Sequence, residues 1–478
     1  MNVKREPGIV LSADQKNAKE QFCKFLSDDN RVFILKGYAG TGKTTMAREM
    51  ISLLEAEHKH FRLLASTGRA AKILANTTGM GTSTVHSMIY TFSDLNQDIE
   101  KISEERQRTG IEPSGQLYLI FECEQVEPDH EQCFYFVDEA SMVSDVKDPN
   151  ATQAVFGSGK LLTDLFYFDP KGKFIFIGDA GQLPPVQQKE SPALSLSYIQ
   201  NACGKKATEA TLTQIMRQQQ GNDIVNAAQK MRYLYQNPQP TKWAKFKMRG
   251  FKNVHLLSSQ IQLVQMYIDR IKKYGYNDST LICFSNRQCS EVTKLVRPAL
   301  GLKSDTLQQG DLLMVTQNNL ITGLMNGDLV EVTYVGSRER RASLTFVNVT
   351  VEEVITRKSY STLMIGEILY SNQTNLTSQQ QKNLFVDFGI RMNYQNITQK
   401  SLAFKKAMLY DKYLNALRAV YGFALTCHKS QGGEWDNVFL NIPRNLPIQP
   451  KPYVYQWMYT AMTRAKKELY LVDDFYIM

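Results

Sequence analysis

Short apolar runs that end in glycine or acidic residues recur along the chain. Arg31–Lys36 runs into Gly37, Phe61–Ala65 into Ser66-Thr67-Gly68, Cys133–Val137 into Asp138-Glu139 and Lys173–Ile177 into Gly178-Asp179. Continuous rather than alternating hydrophobicity marks strands covered on both faces, as in parallel sheets. The polar residues that follow such strands sit where α/β sheets place ligands. Helical stretches such as Lys43–Glu55 and Ala70–Asn76 separate the runs, the alternation of a doubly wound α/β domain. Thr280–Phe284, Phe423–Thr426 and Leu469–Val472 form a second set. Between them Asp311–Thr316, Asp328–Val335, Ala342–Val354 and Ser361–Tyr370 read as β-rich segments, with a turn at Met325-Asn326-Gly327-Asp328. The pattern predicts two α/β halves, 1–216 and 217–478. A charged, irregular insertion at 88–131 interrupts the first, leaving 1–87 and 132–216. A small β-barrel at 306–417 interrupts the second, leaving 217–305 and 418–478. Ser141–Lys173 reads as a connector.

The length of 478 residues fits several domains, and 43% hydrophobic residues exclude a mostly disordered chain. No apolar run approaches the ~20 residues of a membrane helix, and the start, MNVKREPGIVLSADQ, has no apolar signal core. Seven cysteines without a CxxC pair indicate neither a disulfide framework nor a zinc site, so a reducing cytoplasm is expected. The net charge of +9 suggests a polyanionic partner. Between Asp223 and Asp269 no acidic residue occurs, while Lys230, Arg232, Lys242, Lys245, Lys247, Arg249 and Lys252 alternate with Tyr233, Tyr235, Trp243, Phe246 and Phe251. Such a segment is either a single-strand binding surface or a solvated basic face whose rings belong to a core.

Gly37-Tyr-Ala-Gly40-Thr41-Gly42-Lys43-Thr44 matches G-x-x-x-x-G-K-[ST] between a strand and a helix. Glycines let backbone N–H groups wrap phosphates, and the helix N-terminus adds positive potential. In this motif Lys43 reaches the β/γ-phosphates and Thr44 holds Mg2+. Asp138 at the end of its strand suits the Mg2+ shell, and Glu139 is placed to polarise an attacking water. Gln182, in Gly178-Asp-Ala-Gly-Gln-Leu-Pro-Pro185, has the reach to sense a γ-phosphate. Phe156-Gly-Ser-Gly-Lys160 lacks both the first glycine and the final hydroxyl of a phosphate loop and is not a second one.

Taken together, the segments resemble a superfamily-one helicase of the 5′→3′ branch, the group of RecD, Dda and the Pif-type helicases, with the departure at 141–173 favouring RecD and Dda. Leu11–Gln15 resembles the Q motif, in which Gln15 bonds the adenine edge. Ala65–Ala71 resembles motif Ia and Ser83–His86 motif Ib. Leu212–Gln218 resembles the motif whose arginine, here Arg217, contacts phosphate. Thr426–Glu434 resembles motif V and Tyr459–Ala465 motif VI, whose arginine, here Arg464, acts as a finger. The resemblance implies two RecA-like P-loop domains that close on ATP, with catalytic Lys43, Glu139, Gln182, Arg217 and Arg464. Gln15, Gly37, Gly40, Thr41, Gly42, Thr44, Thr45, Gln431 and Glu434 join Lys43 and Gln182 around the nucleotide. It also implies single-stranded DNA gripped by Thr67, Gly68, Arg69, His86, Asn286, Thr426, His428 and Lys429. His428 faces the strand or packs beneath motif V.

The insertion falls where this branch carries a strand-separating wedge, for which Tyr90, Tyr118 and Phe121 are apolar enough but better suited to core packing. The barrel resembles an SH3-like domain that embraces the strand. The expected activity is ATP-dependent 5′→3′ unwinding by a monomer at single-strand/duplex junctions. The alternatives are a helicase subunit of a recombination or nuclease complex, and a nucleotide-gated single-strand binder that does not unwind. RNA as substrate also stays open. The last strand lies close to the end of the sequence, so no nuclease tail is expected.

Overall fold

A computed structural model describes residues 11–109, 116–148, 154–216, 223–238, 241, 243–371, 373–444, 446 and 451–478. The first half is a six-stranded parallel sheet in the order Thr82–Thr84, His60–Ala65, Cys133–Asp138, Lys173–Gly178, Val32–Gly37, Ala207–Leu212. All four apolar runs of the first set are strands in it. Helices cover both faces. Beneath the sheet Phe22, Phe25, Phe33, Phe134 and Phe136 interlock. Each buried ring stabilises the fold by roughly 1.5–3 kcal/mol.

The second half is a five-stranded parallel sheet in the order Val254–Leu257, Ala465–Val472, Trp435–Asn441, Ser279–Cys283, Leu425–Thr426. The expected Phe423–Thr426 strand shrinks to Leu425–Thr426 at the sheet edge. Trp435–Asn441, which the hydrophobic pattern did not single out, lies at the centre. In the basic segment Phe246 is fully buried, and Lys230 and Lys245 lie over the rings of Phe251 and Phe475. The rings of Phe246 and Phe251 therefore serve packing, not stacking on bases. Lys242 lies outside the described residues.

Two further sheets lie outside these two. In the first, Tyr90–Leu95 and Leu119–Cys123 pair antiparallel, and Ala154–Phe156 joins the latter in parallel. Part of the expected connector therefore belongs to the insertion. Phe121 stacks on Phe156 at 4.7 Å, and the Tyr90 hydroxyl donates to Asp164 at 2.7 Å, so both rings are core. In the second insertion an antiparallel sheet runs Ser359–Ile365, Leu344–Glu353, Leu329–Arg341, Leu312–Val315, Ala419–Tyr421. Its edges meet at Leu417, whose N–H donates to Leu363 O at 2.7 Å and whose carbonyl accepts from Ile365 N at 3.0 Å. Residues expected to be β-rich up to Tyr370 turn helical at Gly366–Tyr370, and the helices Ser378–Tyr394 and Leu402–Tyr410 follow.

The insertions meet. The helix Ile99–Thr109 packs on Ser378–Tyr394, burying Ile99, Ile102, Phe385, Phe388, Met392 and Phe404 in one cluster. A second bridge joins the helix Gly68–Thr78 to the turn that precedes the strand Leu329–Arg341. Lys72 pairs with buried Asp328 and lies 4.0 Å from Glu353, and Met325 sits on Gly68, where a Cβ would meet it at 2.2 Å.

Candidate functional site

The C-terminal ends of the first sheet bring Gly37, Asp138, Gly178 and Thr213 to one edge. Gly40 and Gly42 take φ of 79° and 83°, a region open to glycine. A Cβ on Gly37 would lie 2.7 Å from Thr41 Oγ1, and one on Gly42 would lie 2.5 Å from Gln15 Nε2. Gly42 caps the helix Lys43–Ala56 without any side-chain acceptor, and no acidic residue stands in its first turn. By contrast, Ser12, Thr67 and Ser285 each accept an N–H at the start of their own helices. The N–H groups after Gly42 are thus left for an external anion. Lys43 Nζ donates to the carbonyls of Gly37 (2.8 Å) and Tyr38 (3.2 Å), which holds it over the loop. Thr44 is exposed and Thr45 half-buried on the first turn, while buried Thr41 donates its hydroxyl to Tyr38 O.

Gln15 lies against this loop, with both ends of its amide engaged. Oε1 accepts from Ser12 N at 3.0 Å, and Nε2 donates to Thr41 O at 3.3 Å. In this arrangement it fastens the loop instead of presenting a free edge to a base. Asp14, not singled out from sequence, accepts from Thr213 N, Thr213 Oγ1 and Gln214 N. Met216 N in turn donates to Gly40 O. Arg217 lies outside the described residues.

Burial, and secondarily the neighbouring Glu139, push the Asp138 carboxyl up to about 6, while Lys43 opposes the shift. A carboxylate held up in this way gains from a divalent cation, so the site fits Mg2+. Glu139 takes φ 50°, and its carbonyl accepts from Ser66 Oγ at 2.8 Å.

The second half reaches directly into this edge. The Tyr459 hydroxyl accepts from Ala39 N at 3.1 Å and donates to Asp179 at 2.6 Å. Thr460 Oγ1 accepts from Leu183 N, Gln456 donates to Gln182 O and Gln431 donates to Leu183 O. Gln182 and Gln431 are buried, each with an unpartnered Oε1. Arg232 stacks over the Tyr38 ring at 3.4 Å. Arg464 is buried, and its guanidinium donates to Thr460 O, Gly433 O and Thr463 Oγ1, all in its own half. A finger role for it requires those bonds to be exchanged. Glu434 is exposed.

Of the residues expected to touch DNA, Asn286, Thr426 and Lys429 come together in the wall of a cavity of about 620 Å³ between the second half and the five-stranded antiparallel sheet, with Arg287, Lys294 and Tyr421. Burial lowers both His428 and Lys429 from their usual ranges. Others stand elsewhere. Arg69 is buried over the Trp435 ring at 4.1 Å, and desolvation pushes it down to about 10. Gly68 lies under Met325. Thr67 spends its oxygen as a helix cap. His86 packs against Tyr90 and Phe156, and burial pushes it down to about 4, so it is neutral at pH 7. Arg69, Gly68 and His86 are thus turned into contacts within the protein, which pattern matching cannot foresee. Tyr459, Arg232 and Gln456 were missed for the converse reason. Their importance lies in what they touch across the cleft, although the position of Tyr459 within motif VI was a usable signal.

Residues 10–236 match the AAA domain family and residues 421–472 the UvrD-like helicase C-terminal domain. The ATP-dependent RecD2 DNA helicase of Deinococcus radiodurans is 28% identical over 46% of this chain, which spans 23% of that relative's length. The RecBCD enzyme subunit RecD of Buchnera aphidicola is 20% identical over 96% of this chain and 73% of its own. The ATP-dependent DNA helicase dda of Enterobacteria phage T4 is 28% identical over 43% of this chain and 39% of its own. Among solved structures, Pif1 helicase from Bacteroides in complex with ADP-AlF3 and ssDNA aligns with 98% of this chain and 93% of its own, at 18% identity and a TM-score of 0.48. Among the described residues no helix is long and apolar enough to cross a membrane. The ordered motifs, the two matching domain families and the sequence relatives support a likeness to superfamily-one helicases of the RecD and Dda type.

Proposed function

We propose that this chain hydrolyses ATP to move 5′→3′ along single-stranded DNA and to open duplex at single-strand/duplex junctions. The observation that carries the reading is the seam between the halves. The phosphate loop and the Gly178–Pro185 loop of the first half are bonded to Tyr459, Gln456, Thr460 and Gln431 of the second. Nucleotide state at the loop is therefore felt as a change in domain contact, which is how hydrolysis becomes movement. Lys43 and the N–H groups after Gly42 bind the phosphates. Thr44 and Asp138 hold Mg2+, whose charge offsets that of the phosphates when bound. Glu139 orients the water, and Gln182 reports the γ-phosphate to the adjoining loop. Arg217 and Arg464 complete the charge on closure.

The strand runs past Thr426, Lys429 and Asn286, held by backbone contacts that ignore base identity. The barrel acts as an SH3-like clamp over it, and the 88–131 insertion, with Ala154–Phe156, acts as the wedge. The free protein is a cytoplasmic monomer whose seven cysteines stay as thiols. The match to RecD along nearly the whole chain supports a second reading, a helicase subunit of a larger complex. Gel filtration from the native source separates the two.

The deciding experiment uses oligonucleotide duplexes with either a 5′ or a 3′ overhang. ATP-dependent unwinding of the 5′-tailed duplex alone is expected, and Lys43→Ala should open neither. Hydrolysis with no strand displacement, and no streptavidin displacement from a biotinylated single strand, would leave only a nucleotide-gated binder.

A further inference from the structure

We propose that Tyr459 and Arg232 are positioning residues through which the second half sets the shape of the phosphate loop, so that ATP turnover follows closure of the halves. The inference rests on the ATP-hydrolysing reading above. Both residues come from the second half, on the packed helices Lys451–Met462 and Ile224–Gln236, and they act on adjacent loop residues. The Arg232 guanidinium carbon lies 3.4 Å from the centre of the Tyr38 ring, and the Tyr459 hydroxyl holds the Ala39 N–H.

That hydroxyl makes a two-way bond, accepting from Ala39 and donating to Asp179, which is fully buried and also accepts from Gly181 N at 2.9 Å. The Tyr459 ring packs at Gly181, where a Cβ would meet it at 3.1 Å, so a side chain there would push the ring back by a few tenths of an ångström. Gln456 and Thr460, on the same helix face, bond the next residues of that loop, Gln182 and Leu183. The charge of Arg232 also acts on the Tyr459 hydroxyl.

When the halves part, the buried Asp179 carboxylate and the Ala39 N–H lose their partner together. Leaving polar groups short of a partner is costly, so on the proposal the loop holds this conformation only while the helix is seated. Ala39 lies immediately before Gly40, which with Gly42 supplies the backbone turns of the cradle. A shift of its peptide therefore changes the cradle directly.

The test is Tyr459→Phe, which keeps the ring and removes the hydroxyl, alongside Arg232→Gln. For both, DNA-stimulated kcat for ATP is expected to fall about tenfold or more with KM changed about twofold or less. Single-strand affinity should stay near wild type for both, as should the melting temperature of Arg232→Gln, whereas Tyr459→Phe, which leaves buried Asp179 without that donor, should also lower the melting temperature. A purely structural role moves melting temperature without this split. Turnover of both variants within about twofold of wild type, with Lys43→Ala inactive, overturns the inference and leaves the ATPase reading standing. If Tyr459→Phe fails to fold, Arg232→Gln, at a half-buried site, decides by the same measure. A wild-type chain that does not hydrolyse ATP overturns both readings at once.

Discussion

Asp138 illustrates how one side chain carries chemistry and stability in opposite directions. Its carboxyl is raised to about 6 by burial and by Glu139, so the folded protein binds more protons than the unfolded chain between the ordinary carboxylate value and pH 6. Stability from this group therefore falls as pH rises through that window. Asp138→Asn should accordingly raise the melting temperature at pH 7 in the absence of nucleotide, while abolishing Mg2+-dependent hydrolysis. In the wild type at limiting Mg2+, hydrolysis should decline as pH falls toward about 6, because protons then compete with the cation for the carboxylate. A pH profile flat down to pH 5 would contradict the metal role. Glu139→Gln keeps the size and loses the charge, so it should bind nucleotide like wild type and turn over about 10²-fold or more slowly. Lys43→Ala should lose both, as nucleotide titration and steady-state assays on the same preparations will show.

At the scale of elements, the insertion helix Ile99–Thr109 does not stand alone as a protrusion. It shares a core with Ser378–Tyr394 of the other insertion, and the Gln399 side chain ties the same region together by accepting from Ile99 N at 2.7 Å. Replacing Met88–Asp129 by a short linker would expose Phe385, Phe388 and Met392, and so cannot by itself separate wedge from scaffold. A point change is cleaner. Phe388→Ala should loosen the bridge by about 3–5 kcal/mol. DNA-stimulated ATP hydrolysis should persist, because among the described residues none of the phosphate loop belongs to this cluster, while duplex opening should fall sharply. Equal loss of both activities would show the cluster to be scaffold for the whole molecule.

For the whole molecule, the proposed strand path is lined by few strong cations among the described residues. Lys429 is lowered by burial, Arg69 is taken into the core, and the acid-free segment spends several of its cations on Phe251, Phe475 and Tyr38. Binding should still be backbone-directed and salt-dependent, with log K falling by about 0.7 per unit of log salt for each neutralised phosphate. Because Lys294, Arg287 and Lys429 carry the cavity wall, a slope of about −2 is expected for that segment of the footprint. A salt-independent affinity, measured by anisotropy on homopolymer oligonucleotides, would contradict backbone recognition.

The residue pattern alone determined the two α/β halves, the phosphate loop, the acidic pair at Asp138-Glu139 and the order of the motifs. These are local properties: a buried parallel strand must be continuously apolar, and a phosphate loop must be glycine-rich where a strand meets a helix. The same logic could not register Ala154–Phe156 as part of the first insertion's sheet or Trp435–Asn441 as a central strand, because membership of a sheet depends on distant partners. Nor could it tell a cation that faces a phosphate from one that faces a ring. Arg69 over Trp435 and Arg232 over Tyr38 look alike in sequence, yet one is buried away from the expected strand path and the other stands on the phosphate loop. Only the packing of one half against the other decided which side chains meet across the cleft, since contacts between residues hundreds of positions apart leave no period or spacing along the chain.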